Sequence, residues 1–164
     1  MKTKQELTKI RKKAKSDGAA FELRVRKDMT EKGWVVDKFG LNVELADTTN
    51  IDIPGELDIV KDCGKLIQAK NKWAGPGRPM MMGAGFPDFV CSRWNGEMRP
   101  YDMYNIIGLE CKANGYLDKT EREKCRWLLD NNTFSEILIA EKTKVKNRIV
   151  IVYHDFEEKY GNNA

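Results

Sequence analysis

A short apolar stretch, Ile106-Ile107-Gly108-Leu109, leads directly into the charged segment Glu110-Cys111-Lys112. Like every other apolar run in the chain, it is far shorter than the ~18–20 residues of a membrane span, and it is typical of a buried strand. Successive side chains of a strand point to opposite faces, so Glu110 and Lys112 are predicted on one face and Cys111 on the other, in the core. The pattern therefore predicts both a sheet and a charged site at one end of it.

The first 32 residues predict two helices separated by a break. A basic amphipathic helix is predicted over residues 3–15, and a second helix over residues 18–32, ending at Gly33. Ser16-Asp17-Gly18 is expected to separate them, because these residue types favour helix caps over helix interiors. The apolar residues at helical spacing are Leu7, Ile10 and Ala14 in the first helix, and Phe21, Val25 and Met29 in the second.

The remainder of the chain predicts short strands with one further helix among them. Asp118 or Thr120 is expected to cap this helix, with Thr120-x-x-Glu123 as a capping box. Residues 40–55 predict a loop or a frayed hairpin, and the Gly/Pro-rich residues 75–87 predict no regular element. The order of elements indicates one α/β domain with a central mixed sheet flanked by helices. Strand patterns cover residues 34–36, 57–60, 65–69, 89–91, 106–112, 136–140 and 148–153.

Charge is concentrated at the start of the chain. The 164 residues carry a net charge of +4, but the first fifteen contain seven basic residues and one acid, Glu6. Such a segment is expected to bind phosphates as an arm, with Lys12 and Lys13 as candidate DNA contacts; a solvated helix face or a disordered tail explains it equally well. The basic residues are Lys2, Lys4, Lys9, Arg11, Lys12, Lys13 and Lys15.

Cysteine and histidine usage argues against two classes of site. The four cysteines, Cys63, Cys91, Cys111 and Cys125, contain no CxxC pair, and His154 is the single histidine. A structural zinc site is therefore not expected, and neither is a histidine-activated nucleophile. The charged N-terminus lacks the apolar segment of a signal peptide, so we expect a cytoplasmic protein.

The candidate catalytic residues surround the strand that ends in Glu110. Pro87-Asp88 precedes another predicted strand, and if the two strands are neighbours, Asp88, Glu110 and Lys112 converge at one edge of the sheet. Paired carboxylates are the usual ligands of Mg²⁺ or Mn²⁺, and a nearby ammonium can orient water or stabilise phosphate charge. Glu22, on the second predicted helix, is the candidate for a third acid and metal ligand.

These motifs resemble the PD-(D/E)xK nuclease superfamily. Gly85-x-Pro87-Asp88, Glu110-x-Lys112 and Gly115-x-Leu117 are similar to VRR-NUC nucleases. Gly18-x-x-x-Glu22 and Gly33-Trp34-x-Val36 resemble archaeal-type Holliday junction resolvases. The resemblance covers residues 18 to about 153. The sequence departs from these relatives in the helix after Glu110-x-Lys112, where they commonly carry a glutamine and this chain has Lys124.

The resemblance implies a restriction-endonuclease-like core and a metal-dependent DNA endonuclease. On this reading, residues 1–16 are a basic helix or arm, and residues 17–160 are the nuclease domain. The implied substrate is branched DNA, most specifically a four-way junction, cut by a homodimer that places two active sites across a two-fold substrate. Flaps, forks, single strands or duplex DNA are alternative substrates, and a catalytically inactive DNA-binding module is an alternative of another class.

A second pattern offers a rival position for the site. Asp58, followed by Gln68-Ala69-Lys70, resembles the Asp…Gln-x-Lys variant of some restriction-type enzymes. The helix expected after that lysine is replaced by a Gly/Pro-rich stretch, which favours Asp88 and Glu110. The two patterns are compatible, because Lys70, Lys72 and Arg78 are also candidates for gripping DNA phosphates near the metal.

Overall fold

The computed structural model describes residues 3–45, 64–70, 85–98 and 101–161. The predicted strand at 57–60 lies outside these residues, as do Cys63 and most of the Gly/Pro-rich stretch. The elements are α1 (Lys4–Glu31), β1 (Val35–Lys38), β2 (Leu41–Leu45), β3 (Gly64–Gln68), β4 (Phe89–Met98), β5 (Tyr101–Cys111), α2 (Lys119–Asp130), β6 (Glu136–Val145), β7 (Arg148–Asp155) and α3 (Phe156–Tyr160).

Five strands form a mixed central sheet in the order β1-β4-β5-β6-β7. The pairs β1/β4, β4/β5 and β6/β7 are antiparallel, whereas β5 and β6 are parallel and are joined through α2. Strands β2 and β3 pair separately as an antiparallel two-stranded sheet. Strand β3 coincides with the strand predicted at residues 65–69, whereas β2 lies within residues 40–55, where a loop or a frayed hairpin was expected. The chain is thus an α/β protein with a mixed five-stranded central sheet, as the order of sequence patterns predicts.

Helices cover both faces of the central sheet. On one face, Phe21, Val25 and Met29 of α1 pack against alternate residues of β4 and β5, including Phe89 and Leu109. The opposite face packs against α2, α3 and the two-stranded sheet, because strand residues alternate between the two cores. The second core contains Val43, Leu128, Ile137, Ile139 and Phe156.

The predicted break at Ser16-Asp17-Gly18 is wrong, because α1 is one helix from Lys4 to Glu31. A glycine inside a helix costs about 1 kcal/mol relative to alanine, which is less than the cost of ending one helix and nucleating another. The helix is instead capped at its start, where Thr3 and Glu6 form a capping box. The division drawn at residues 16 and 17 therefore falls within a continuous helix.

Two further predictions about helices need correction. Asp118, one of the two expected caps, is the N-cap of α2, but the capping box is formed by Asp118 and Glu121 and not by Thr120 and Glu123. Helix α3 was missed, since its five residues are too few for a periodic pattern; Phe156 and Tyr160 anchor it in the core. No helix within the described ranges is both long enough and apolar enough to cross a membrane.

Candidate active site

The two carboxylates of the predicted site lie at the same end of the central sheet. Asp88 directly precedes β4, and Glu110 is the penultimate residue of β5. Because Phe89 pairs with Leu109 in antiparallel register, the start of β4 lies beside the end of β5. Sheet topology therefore brings Asp88 and Glu110 together across 22 residues of sequence.

Reciprocal hydrogen bonds fix the two carboxylates side by side. The backbone N–H of Asp88 donates to Oε2 of Glu110 at 3.0 Å. The backbone N–H of Cys111 donates to Oδ2 of Asp88, also at 3.0 Å. Each acid is thus held by the backbone of the other strand, which fixes both side chains in the folded state before any ligand binds.

Close packing shapes the turn that delivers Asp88. The N–H of Phe86 donates to the carbonyl of Leu41 at 2.9 Å, and a Cβ on Gly85 would overlap the carbonyl oxygen of Phe39. A Cβ on Gly108 would lie 2.9 Å from Cγ of Pro87, so the turn rests directly on β5. The Phe86–Pro87 peptide bond is cis. Close packing therefore constrains the Gly-x-Pro-Asp motif at both its glycine and its proline.

Lys112 lies between the sheet and the start of α2. Its backbone N–H donates to the carbonyl of Ala140 at 2.9 Å, which continues the pairing of β5 with β6. Its ammonium lies 3.3 Å from Oε1 of Glu110 and donates a hydrogen bond to Glu121. The Lys112 side chain is 25% exposed, so its ammonium remains accessible to solvent although it contacts two acids.

Glu121 is a site residue that the sequence patterns did not identify. Its Oε2 accepts the backbone N–H of Asp118 at 3.0 Å, closing the capping box of α2, while Oε1 accepts from Lys112. The sequence signal was the spacing Asp118-x-x-Glu121, which has the same form as the capping box predicted two residues later, at Thr120 and Glu123. Glu121 therefore connects the N-terminal cap of α2 to the ammonium of Lys112.

Burial raises the pKa values of both carboxylates. Burial raises the pKa of Glu110, which is 5% exposed, and the nearby charge of Asp88 raises it further, while Lys112 opposes both. Burial also raises the pKa of Asp88, with the charge of Glu22 adding to the effect and the Cys111 N–H opposing it. Both acids would therefore be stabilised in their charged form by an added cation.

Lys112 remains a cation in this setting. Burial alone would lower the pKa of Lys112, but the hydrogen bond to Glu121 and the charge of Glu110 outweigh burial and raise it. An ammonium held charged is suited to stabilising negative charge on a phosphate, whereas a neutral amine would be suited to removing a proton. Of the two roles predicted for Lys112, its surroundings favour charge stabilisation.

Glu22 lies close to the pair but does not join it. Its Oε2 accepts a hydrogen bond from Nζ of Lys38 at 2.5 Å, and Lys38 is the last residue of β1. The charge of Glu22 nevertheless raises the pKa of Asp88, which places it in the same electrostatic neighbourhood. Glu22 is thus a neighbour of the pair, neutralised by a lysine.

The donor chemistry of Asp88 and Glu110 fits a hard divalent cation. Mg²⁺ is often held by one or two carboxylates, with water completing its shell, and buried acids with raised pKa values favour an added positive charge. Within the part of the chain that the structure describes, no group of three or more His, Cys, Asp or Glu side chains is arranged to hold a metal. The residues present therefore fit a two-carboxylate site, and the predicted three-acid set is not assembled.

The remaining DNA-binding candidates lie apart or outside the described residues. Lys12 and Lys13 are exposed on α1, and Lys70 is exposed just after β3. Of the rival site, Gln68 is exposed at the end of β3, in the two-stranded sheet rather than the central one. Asp58, Lys72 and Arg78 lie outside the described residues. Lys124, at the place of the expected glutamine, donates to Oδ1 of Asn42 at 2.8 Å.

The thiols of the three described cysteines are not suited to nucleophilic or metal-binding chemistry. Cys91, Cys111 and Cys125 are free thiols, and burial raises the pKa of each well above the ordinary value. Thiols with raised pKa values are poor nucleophiles and poor metal ligands at neutral pH. His154, for its part, is paired with Glu141 at 2.7 Å.

No protein-family model matches the sequence, and no curated protein and no solved structure is significantly similar to this chain. The function must therefore be argued from the site itself.

Proposed function

We propose that the protein is a divalent-metal-dependent DNA endonuclease of the PD-(D/E)xK type, with Asp88, Glu110 and Lys112 at its catalytic centre. The observation that carries the proposal is the reciprocal bonding of Asp88 and Glu110, with the Lys112 ammonium 3.3 Å from Glu110. A buried acid, a partly buried acid and a cation at one sheet end are suited to metal-assisted phosphodiester hydrolysis. The restriction-endonuclease-like core belongs to the same proposal.

Each side chain of the set has a separate role. Asp88 and Glu110 hold Mg²⁺ or Mn²⁺, which when bound supplies a Lewis acid for hydrolysis of the phosphodiester. Lys112 places its positive charge where negative charge builds on the phosphate, and Glu121 fixes the direction of that ammonium. Glu22 contributes negative charge beside Asp88, and on release from Lys38 it is the candidate third ligand.

The proposed substrate is branched DNA, with the four-way junction first, and the active form is a homodimer. This choice of substrate follows the sequence resemblance to junction resolvases rather than a contact within the protein. Two copies related by a two-fold axis can address two symmetric strands of a junction. A flap, fork, single strand or plain duplex uses the same chemistry with a different arrangement of the DNA.

A catalytically inactive DNA-binding module is the second candidate function. One observation favours it: Glu22 is neutralised by Lys38 instead of joining the other two acids. A site with two carboxylates holds a metal less firmly than one with three, so binding of DNA without cleavage is the behaviour that this candidate predicts.

The experiment is a cleavage assay with Mg²⁺ or Mn²⁺ on four labelled substrates: a four-way junction, a flap, a single strand and a matched linear duplex. Glu110→Gln removes one ligand with little change in shape. Glu136→Gln is the matched control, because Glu136 is exposed at the start of β6, where it pairs with Ile107 rather than with Glu110. Cleavage lost only in Glu110→Gln supports the nuclease, and paired symmetric nicks confined to the junction support the resolvase.

The remaining outcomes distinguish the alternatives. Cleavage of all four substrates keeps the nuclease and removes the preference for junctions. DNA binding that persists in EDTA, with no cleavage under either metal, favours the inactive binding module. Equal activity in Glu110→Gln and Glu136→Gln contradicts the placement of the catalytic centre.

A further inference from the structure

The first half of α1 has no packing partner among the described residues. Every side chain from Lys4 to Ala20 is exposed, and burial begins at Phe21. At 1.5 Å per residue, this free half projects by roughly 25 Å. Leu7 and Ile10 are 44% and 47% exposed, so the apolar side of α1, which is buried from Phe21 onward, faces solvent here.

The free half of α1 projects from the end of the sheet that carries the candidate active site. A short turn after Glu31 leads α1 into β1, and Glu22 contacts Lys38 at the far end of β1. Helix and strand therefore run antiparallel, and residues before Glu22 extend beyond the end of β1. Asp88 lies at that end, since its carbonyl accepts the N–H of Phe39 at 3.2 Å.

Three basic residues share the face of α1 that carries Glu22. With 3.6 residues per turn, Lys15, Arg11 and Lys4 all project within about 20° of Glu22 when viewed along the helix axis. We call these three residues the basic row. Their alignment depends on the helix being continuous through Gly18, because a break there would remove any fixed phase between the row and the site.

The charge of the basic row is not neutralised by the described part of the chain. None of Lys4, Arg11 and Lys15 forms an ion pair with a described residue, whereas Lys32 and Lys38 lower down pair with Asp28 and Glu22. The two acids of the free half lie elsewhere: Glu6 closes the capping box with Thr3, and Asp17 is on another face of the helix. The row therefore offers three cations in line.

The spacing of the row suits a phosphate backbone. Lys15, Arg11 and Lys4 lie roughly 10, 16 and 27 Å along the helix axis from Glu22. At 3.4 Å per base pair, these separations correspond to about three, five and eight base pairs of duplex. We propose that the basic row binds the DNA backbone on one side of the cleaved phosphate and requires about eight base pairs of duplex there.

This inference rests on the proposed nuclease function and assigns DNA contacts to residues other than those first predicted. Lys13 lies on the opposite side of the helix from Glu22, and Lys12 lies about a quarter turn away. They therefore provide a matched control. A row variant carries Lys4→Ala, Arg11→Ala and Lys15→Ala, and the control variant carries Lys9→Ala, Lys12→Ala and Lys13→Ala, with the same loss of charge in the same helix.

The first measurement is fluorescence anisotropy of a labelled duplex in EDTA at several salt concentrations. Loss of three phosphate contacts should reduce the slope of log K against log salt by roughly 2.7, from 0.9 per phosphate. We expect this reduction in the row variant and a small change in the control. Equal changes in the two variants, or an unchanged slope in the row variant, overturn the proposal. Circular dichroism checks that both retain helix.

The second measurement shortens the duplex on one side of the cleaved position. Wild-type binding should fall about tenfold or more once that arm is shorter than about eight base pairs, and the row variant should show no such dependence. Row-dependent binding to phosphatidylserine vesicles together with unchanged DNA binding overturns the proposal in favour of a membrane surface. If DNA binding depends on the basic row but no cleavage occurs, the proposed nuclease function is contradicted and the proposed role of the row is not. If cleavage occurs but the row variant binds DNA as tightly as wild type, the proposed role of the row is contradicted and the nuclease function is not.

Discussion

Glu121 accepts a hydrogen bond from the ammonium of Lys112, although the two residues lie on different elements. The same glutamate caps α2 through the N–H of Asp118. In the proposed nuclease site, Lys112 would hold its charge toward the phosphate, and the first turn of α2 sets the direction of its ammonium. We therefore propose Glu121 as a positioning residue whose charge matters separately from its hydrogen bonds.

Glu121→Gln should lower kcat by about tenfold while leaving KM within about twofold, since partners that orient a catalytic group typically contribute 10–100-fold. Glutamine keeps the oxygen that accepts from Asp118 but removes the charge that raises the pKa of Lys112. The alkaline limit of the pH–rate profile should therefore move to lower pH. Glu123→Gln, on the same helix beside Lys119, is the control. An unshifted alkaline limit would show that Glu121 acts only through the stability of α2.

Asp88→Asn should abolish cleavage, by about 100-fold or more, while DNA binding stays within a few-fold of wild type. Asparagine keeps an oxygen to accept the Cys111 N–H, so the turn should fold, but the ligand charge is lost. Asp37→Asn, exposed on the neighbouring strand β1, is the control. Full activity in Asp88→Asn would move the catalytic centre to Asp58 and Gln68.

The metal-free protein should lose stability as pH rises from about 4.3, the ordinary pKa of glutamate, to about 8, the raised pKa of Glu110. In this window the folded state holds a proton that the unfolded state releases, so the slope of unfolding free energy against pH is negative, up to about 1.4 kcal/mol per pH unit for one proton. Thermal unfolding in EDTA measures it.

The control for this pH dependence is Glu110→Gln, which removes the titrating carboxyl and should flatten the curve, whereas Glu123→Gln, on α2, should retain most of the slope. Adding Mg²⁺ should raise the melting temperature more at pH 8 than at pH 5, because binding requires the charged carboxylates. A melting temperature that rises across the window in EDTA would contradict the raised pKa of Glu110.

Strand alternation predicts part of the arrangement around Glu110. The distribution of apolar residues predicts the strand and the face of Glu110. The meeting of Asp88 and Glu110 was predicted only on the condition that their strands are neighbours, and β4 and β5 are neighbours in the sheet. The partner of Lys112 was not predictable in the same way, because Glu121 reaches the lysine only through the particular docking of α2 on the sheet. For Glu22, the sequence predicts a position near the two acids, but it does not predict the ion pair with Lys38.

The helix break was mispredicted because local preferences were given too much weight. Ser16, Asp17 and Gly18 each favour a cap, but the packing of Phe21, Val25 and Met29 holds the following turns, and the preceding turns propagate from them. Local propensity is a weak guide when tertiary contacts fix one end of a helix. The continuity of α1 matters for the proposed DNA contacts, since only a continuous helix keeps the basic row in phase with Glu22.

The two glycines Gly85 and Gly18 should respond in opposite ways to alanine. A Cβ at Gly85 would overlap the carbonyl oxygens of Phe39 and Leu41, which are backbone atoms and cannot move aside alone. Gly85→Ala should therefore destabilise the protein by about 2–3 kcal/mol and displace Asp88, with loss of cleavage. Nothing lies within 4 Å of a Cβ at Gly18, so Gly18→Ala should strengthen α1 by about 0.5–1 kcal/mol. Urea denaturation of both variants measures the difference, and a destabilising Gly18→Ala would contradict a continuous α1.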